Sequence, residues 1–190
     1  MERIDRRSRV LEIAPGSGRN FAALIAKADI TAIEADANRA AALRSDFPDH
    51  AQRILSGSYN GLPFADRSFD AVLSTHALLH GTPDDVTLLL KEIARVSRQN
   101  ALLFTTFGSP ADARFGKGRQ LGPQCFAPSG GDEAGVAHSY FRESELGSLL
   151  RDFEIELLNE RTVDTVAGSW AHQDSPLHDA VHWFVIARLK

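Results

Sequence analysis

The 190-residue chain reads as an α/β protein: a mainly parallel sheet with helices on both faces. Three observations predict this. Apolar, β-branched runs alternate with segments of helical spacing up to about residue 107, in the order βαβαβ…βαβ. In VLEIAPGSGRN (Val10–Asn20), Val10, Leu11 and Ile13 surround Glu12, and the chain turns at Gly16 and Gly18 into a helix with Phe21, Leu24, Ile25 and Ala28 on one face. The composition, 43% hydrophobic and 24% charged, is that of an ordinary globular domain, and the length suits one core rather than two.

The elements follow in order. The first strand is expected at about Arg9 to Ala14 and its helix at about Arg19 to Lys27. ITAIE (Ile30–Glu34) is β-branched and forms the second strand. ANRAAALRSD (37–46) is helical by propensity and stops at Pro48. Arg53 to Leu55 gives a weak third strand, SGSYNG a loop, and DAVLS (Asp70–Ser74) a fourth strand. Thr82-Pro83-Asp84-Asp85 is a helix start with a capping threonine, a first-turn proline and an acid at the capping-box position. That helix runs to about Ser97, burying Val86, Leu89, Leu90, Ile93 and Val96, and Ala101 to Phe107 is an apolar fifth strand.

The texture then changes. Gly108 to Ala137 holds seven of the 14 glycines and three of the eight prolines, with little periodicity. A loop of that length inside a single domain (residues 1–190, with this insert at about 108–138) is expected to act as a lid or binding loop. Regular structure returns with a helix at Glu143 to Arg151, a strand at Phe153 to Asn159 and another at His182 to Leu189, an antiparallel pair at the sheet edge. Ala167 to Ser175 reads as a loop between them.

Composition also limits function. A net charge of −4 disfavours a general nucleic-acid binder. No apolar run approaches membrane-spanning length, and MERIDRRSRV lacks a secretion signal's hydrophobic stretch. The lone cysteine, Cys125, excludes an internal disulfide and fits a reducing cytoplasm. On these grounds neither a nucleic acid nor a membrane is expected as a partner.

The strand–turn–helix at Val10–Asn20 is a cradle for a polar ligand, because backbone approaches closely where Cβ atoms are absent and helix N–H groups point outward. Read plainly, it is only an αβ corner. A dinucleotide turn wants a third glycine where this chain has Phe21, whose ring is expected to fill the approach of a pyrophosphate; no GK[ST] follows for a P-loop. The cradle thus suits a nucleoside without a pyrophosphate. Glu34, sixteen residues beyond Gly18, can accept both hydroxyls of a ribose, and Asp36 competes for that role.

VLEIAPGSGRN, TAIEAD and SGSYNGLPFADRSFDAVLSTHALLH together resemble the class I S-adenosylmethionine-dependent methyltransferases, most specifically through LPFADRSFDAV. The resemblance covers about residues 9–107 and extends weakly through YFRESEL, FEIELLNE and HWFVIARL. It implies a Rossmann-like, doubly wound sheet of seven strands in the order 3-2-1-4-5-7-6, strand 7 antiparallel. It also implies S-adenosylmethionine as cofactor and methyl transfer to a small molecule. Ala14 to Gly18, with Gly16, would line the methionine moiety, and Glu34, with Ala35 beside it, would bind the ribose diol. Ser58 and Tyr59 would lie near the adenine and the backbone at Ser74, Thr75 and His76 near the amino-acid end. Arg19 would pair with the cofactor's carboxylate, and Glu12 belongs to the same set. Three departures stand out: Ala14-Pro15 where the family's turn begins with glycine, Ser58 where many relatives carry aspartate, and little chain before the first strand. Cover for the cofactor is therefore expected from the insert, from a second copy in a homo-oligomer, or from a missing segment.

Methyl transfer from a sulfonium needs alignment and exclusion of water rather than a covalent intermediate. His76 and His80, four residues apart after the fourth strand, are the candidate bases, and His138 is a weaker third. No metal site is expected, since no carboxylate or cysteine joins these histidines at ligand-like spacing. Arg114, Lys117 and Arg119 are candidates to grip an anionic acceptor, and Tyr140, Phe141, Trp170 and Trp183 to line its pocket. A nicotinamide-dependent oxidoreductase and a non-catalytic cofactor-binding protein are the alternatives.

Overall fold

Period-two burial along the strands divides their side chains between two cores, one on each face of the sheet. In a computed structural model that describes residues 4–75, 77–131, 133–163 and 180–190, the first strand β1 (Arg9–Ile13) shows the division. Val10 packs with Phe21, Leu24 and Leu43 on one face, whereas Leu11 and Ile13 pack with Val86, Leu90 and Ile93 on the other. The helices that supply those contacts are α1 (Arg19–Leu24) and α2 (Ala37–Asp46) on the first face and α3 (Pro83–Val96) on the second. The remaining strands of the large sheet are β2 (Asp29–Glu34), β3 (Ile54–Ser56), β4 (Phe69–Ser74) and β5 (Ser97–Gly108).

The chain finishes with α4 (Glu143–Leu149), β9 (Phe153–Thr162) and β10 (Val181–Leu189), after three short strands described below. The seven strands lie in the order β3-β2-β1-β4-β5-β10-β9. β1 to β5 pair in parallel, and β10 inserts antiparallel to both β5 and β9. This is the order and polarity that the sequence implied.

Several boundaries differ, for visible reasons. α1 ends at Leu24 because the amides of Lys27 and Ala28 both bond to the Leu24 carbonyl, at 2.8 and 2.9 Å, and swing the chain into β2. β9 is longer than expected because β10 pairs along it from Val181 to Leu189, and β5 starts earlier because Ser97 pairs with Phe69 of β4. The insert is not the aperiodic loop expected. It forms a three-stranded antiparallel sheet of β6 (Arg119–Gly122), β7 (Cys125–Ala127) and β8 (His138–Ser139), whose strands are too short for a periodic signal. The expected loop at Ala167–Ser175 lies outside the described residues. No helix among the described residues is long and apolar enough to cross a membrane.

The capping box at Thr82 forms as read: the Asp85 amide donates to Thr82 Oγ1 at 3.3 Å and the Thr82 amide to Asp85 Oδ2 at 2.8 Å. Further along α3, Arg95 holds the LPFAD stretch. Its guanidinium donates to the carbonyls of Leu62 and Phe64 at 2.9 and 2.8 Å, and to Asp66 and Glu92 at 2.8 Å each. Glu92 in turn accepts the Leu62 amide at 2.8 Å. The most specific stretch of the family resemblance is thus a structural loop pinned by one arginine. Arg95→Ala should lower stability by about 1–2 kcal/mol, or roughly 3–6 °C in Tm, in thermal unfolding. An unchanged Tm would show the loop held elsewhere.

Glu12 follows Val10 by two residues and is buried on the face that α1 covers, where its Oε2 finds no hydrogen-bond partner among the described residues. Burial pushes its carboxyl up to about 7, against the opposing pull of the Asn20 amide and the Arg19 charge. The folded chain therefore holds this proton more tightly than the unfolded one, whose ordinary value is 4.5. The contribution favours folding at low pH and is lost as pH rises from about 4.5 through about 7, by at most about 3 kcal/mol. Glu12→Gln should remove that slope from urea-unfolding free energies measured between pH 5 and 8; a slope that persists in the variant excludes Glu12 as its source.

Candidate functional site

The turn after β1 needs left-handed backbone at three positions, Ala14 (φ 56°), Gly16 (φ 56°) and Gly18 (φ 77°). Glycine adopts this conformation freely, so Ala14 bears the strain that the family's glycine would avoid. The Ala14 amide bonds to the Ile33 carbonyl at 3.0 Å, and the Gly18 amide to the Pro15 carbonyl at 2.9 Å. The two glycines serve different ends. A Cβ at Gly18 would drive into Leu43 and come within 2.8 Å of the Phe47 ring, so Gly18 lets α1 approach α2. A Cβ at Gly16 would meet nothing within 4 Å, because Gly16 faces an open cavity.

Phe21 does not fill that cavity. Its ring is fully buried on the helix side and meets Phe47 edge-on at 5.3 Å, so the steric argument against a pyrophosphate does not rest on this residue. The helical period turns it away from the ligand side.

The cavity, about 610 Å³, has two differently built ends. One is walled by Ala14, Gly16, Arg19, Glu34, Ala35 and Tyr59. Glu34 is buried at the end of β2, and its Oε1 accepts from the Asp36 amide at 3.1 Å and the Tyr59 hydroxyl at 3.2 Å. Neither bond uses Oε2. Tyr59 also accepts the Ala35 amide at 3.1 Å, so its ring is fixed across the end of β2. Burial, then the charge of Glu34, pushes its hydroxyl well above the ordinary range, so it stays a donor. Asp36 is committed to capping α2, accepting the amides of Asn38 and Arg39 at 2.8 and 3.0 Å, which leaves Glu34 as the diol candidate.

Other expected cofactor residues divide. Thr75 borders the cavity and accepts the Asn20 amide at 3.4 Å, while Ser74 is buried and its carbonyl accepts from Thr105 Oγ1 at 2.7 Å. Ser58 caps its own turn, accepting the Asn60 amide at 3.1 Å, and the cavity wall is formed instead by Tyr59 and Asn60. Asn20 and Asn60 are wall residues the sequence reading missed; Asn20 was visible as the first-turn residue after Arg19. His76 lies outside the described residues.

The other end is formed by His80, Gly81, Asp85, Val86, Glu133 and Val136. The insert thus contributes Glu133 and Val136 to the cavity wall. Glu133 brings a carboxylate between the histidines that sequence spacing left unjoined: Oε1 lies 3.0 Å from His80 Nε2, and Oε2 lies 2.9 Å from His138 Nε2. Backbone bridging of His80 to His138 places the rings 4.8 Å apart at 86°. Burial raises the Glu133 carboxyl, but its bonds with His138 and His80 outweigh this and hold it well below the usual carboxylate range.

None of the remaining candidates among the described residues lines this cavity. Arg114 donates to Asp112 at 2.9 and 2.8 Å, and Lys117 and Arg119 are exposed on the insert. Tyr140, Phe141 and Trp183 are buried, with Trp183 Nε1 donating to the Phe141 carbonyl at 2.8 Å; Trp170 lies outside the described residues. Cys125 is buried in β7 rather than lying in a loop.

Comparison with known proteins agrees with this geometry. A family model described as a methyltransferase domain matches residues 11–105. A glycine/sarcosine/dimethylglycine N-methyltransferase of Actinopolyspora halophila is 27% identical over 124 residues, which is 61% of this chain and 21% of that protein. The chain thus spans about a fifth of the length of this curated relative. Among solved structures, a SAM-dependent methyltransferase from Methanosarcina mazei superposes with a TM-score of 0.77 at 20% identity, over 98% of this chain and 94% of that one. The Burkholderia thailandensis 1,6-didemethyltoxoflavin-N1-methyltransferase, solved with its substrate and S-adenosylhomocysteine, gives a TM-score of 0.70 at 19% identity, over 97% and 72%. With the family model spanning the first five strands and the sheet order matching throughout, the chain belongs to the methyltransferase-domain family.

Proposed function

We propose that the chain binds S-adenosylmethionine in the Gly16–Glu34 end of the cavity and transfers its methyl group to a small molecule held at the His80–Glu133 end. The observation that carries this reading is one cavity joining both ends. Its first end fits an adenosyl ligand: open space at Gly16, and a buried carboxylate at Glu34 fixed through Oε1. The cofactor, when bound, supplies an already activated methyl group on a sulfonium.

What remains for the chain is binding, orientation and exclusion of water. Glu34 would accept the ribose hydroxyls, with Tyr59 holding its carboxylate in place. Arg19 and Thr75 would meet the amino-acid end, and Val136 and the rest of the insert would shield the reacting centre. His80 is the candidate catalytic residue carried forward, since it borders the acceptor end. The small-molecule acceptor is supported by the part the insert takes in walling that end, through Glu133 and Val136, and by the 1,6-didemethyltoxoflavin bound to a structural neighbour. A cytoplasmic setting is supported by the single cysteine.

Calorimetry tests the reading: heat with S-adenosylhomocysteine and none with NAD is expected, and the reverse pattern would overturn it. Transfer of labelled methyl from S-adenosylmethionine to a small-molecule acceptor pool then separates an enzyme from a protein that only binds the cofactor. Glu34→Ala should weaken S-adenosylhomocysteine binding by about 1.5–3 kcal/mol, through loss of charge-assisted hydrogen bonds. Unchanged affinity would remove Glu34 from the site. Gly16→Val should abolish binding while the protein still folds, since the new side chain projects into the cavity; retained affinity would place the cradle elsewhere.

A further inference from the structure

The acceptor end holds a constellation that methyl transfer does not require. We propose that His80, Glu133 and His138 form a binding site for one divalent transition-metal ion, with coordination positions open to the cavity. One ring nitrogen each of His80 and His138 and a carboxylate oxygen of Glu133 lie within 4.8 Å of one another. Ligand atoms around one ion at about 2.0–2.2 Å are themselves about 3–3.5 Å apart, so small side-chain shifts close this set onto a metal.

Three features favour a built site over a chance contact. First, the histidines are locked together by backbone: His80 bridges to His138, and the Gly81 amide donates to the Ala137 carbonyl at 2.7 Å. Second, His138 Nδ1 lies 2.9 Å from the Val136 carbonyl. A carbonyl only accepts, so Nδ1 carries the proton and leaves Nε2 with a lone pair directed at the carboxylate. That orienting bond to the remote nitrogen is the usual outer-shell support of a metal-binding histidine. It also means that the Nε2–carboxylate approach of 2.9 Å needs a cation between the two atoms, either a second proton or a metal ion.

Third, the burial is one-sided. His138 is 2% exposed and sits behind the site, while His80 and Glu133 border the cavity. Ligands gathered on one face leave the opposite positions to water or to a bound molecule, as in sites with two histidines and one carboxylate. Two imidazoles and one carboxylate suit a borderline ion such as zinc, cobalt or iron(II), whereas magnesium and calcium favour oxygen ligands. A metal here would anchor an oxygen or nitrogen of a molecule in the acceptor half, giving His80 the role of a ligand and not of a base.

The test uses the full chain, stripped with a chelator and titrated with zinc alone in competition with a chromophoric chelator. One zinc per chain is expected, with binding weakened at least about 100-fold in Glu133→Gln and His80→Ala. Cobalt(II) is the second probe, and its visible absorption bands should be altered or lost in the same variants. Melting temperature confirms that each variant is folded; should the buried His138→Ala fail to fold, the partly exposed His80 carries the result. Absence of stoichiometric zinc on the parent chain overturns the site and leaves a proton-bridged cluster. Equal zinc affinity in the parent chain, Glu133→Gln and His80→Ala overturns it too. Neither readout depends on methyl transfer: zinc binding without S-adenosylhomocysteine binding would sink the proposed function and keep the metal site.

Discussion

The left-handed turn at the end of β1 is the constraint on which the rest of the molecule depends. Three residues in five, Ala14, Gly16 and Gly18, take positive φ, a conformation that costs an alanine about 1–2 kcal/mol. The turn persists because both its ends are fixed. β1 is paired on both sides, to β2 and β4, and the Ala14 amide is held by the Ile33 carbonyl. At the far end, Gly18 lets α1 sit against Leu43 and Phe47, closing one of the two cores. A tightly packed side at Gly18 and an open side at Gly16 make the same turn both a packing joint and a cavity wall.

The insert is built by a different logic. Its three short strands are tied by hydrogen bonds to the chain between β4 and α3 and to the end of β5. Ser139 Oγ donates to the Gly81 carbonyl at 2.7 Å, and the Phe141 amide donates to the Gly108 carbonyl at 2.9 Å. A Cβ at Gly108 would lie 2.7 Å from the Ser139 carbonyl, so the sheet and the insert meet where a side chain is missing. Phe115, Phe126 and Tyr140 then stack edge-on at 5.3 and 5.4 Å and give the insert a small aromatic centre. Glu133 reaches His80 from a segment anchored in this way.

These two modes of construction explain what was legible in the sequence. Long runs with a clear period, such as Val86 to Val96 or Ile30 to Glu34, record burial on one or two faces, and their positions emerged within a residue or two. The Gly16–Glu34 end of the cavity was legible because its residues sit at the ends of such runs: Gly16 after β1, Glu34 at the close of β2, Thr75 after β4. Ser58 and Phe21 were read less well, since spacing places a residue along the chain without giving the direction of its side chain. Ser58 turns back to the Asn60 amide, and Phe21 turns into the core. The strands of β6 to β8 were beyond reach, because two to four residues cannot display a period.

Glu133 shows the sharper limit. It stands five residues before His138 and more than fifty after His80, a separation that carries no local signal. Its placement follows from three tertiary events: Gly81 hydrogen-bonding to Ala137, the bridge from His80 to His138, and the bond from the Gly135 amide to the Pro128 carbonyl, at 2.8 Å, that folds the Glu133 segment back. Thr75 and His80, five residues apart in the chain, both line the cavity. The His80–Glu133 end, although made from the least regular part of the chain, is thus joined in sequence through this segment to its most regular part.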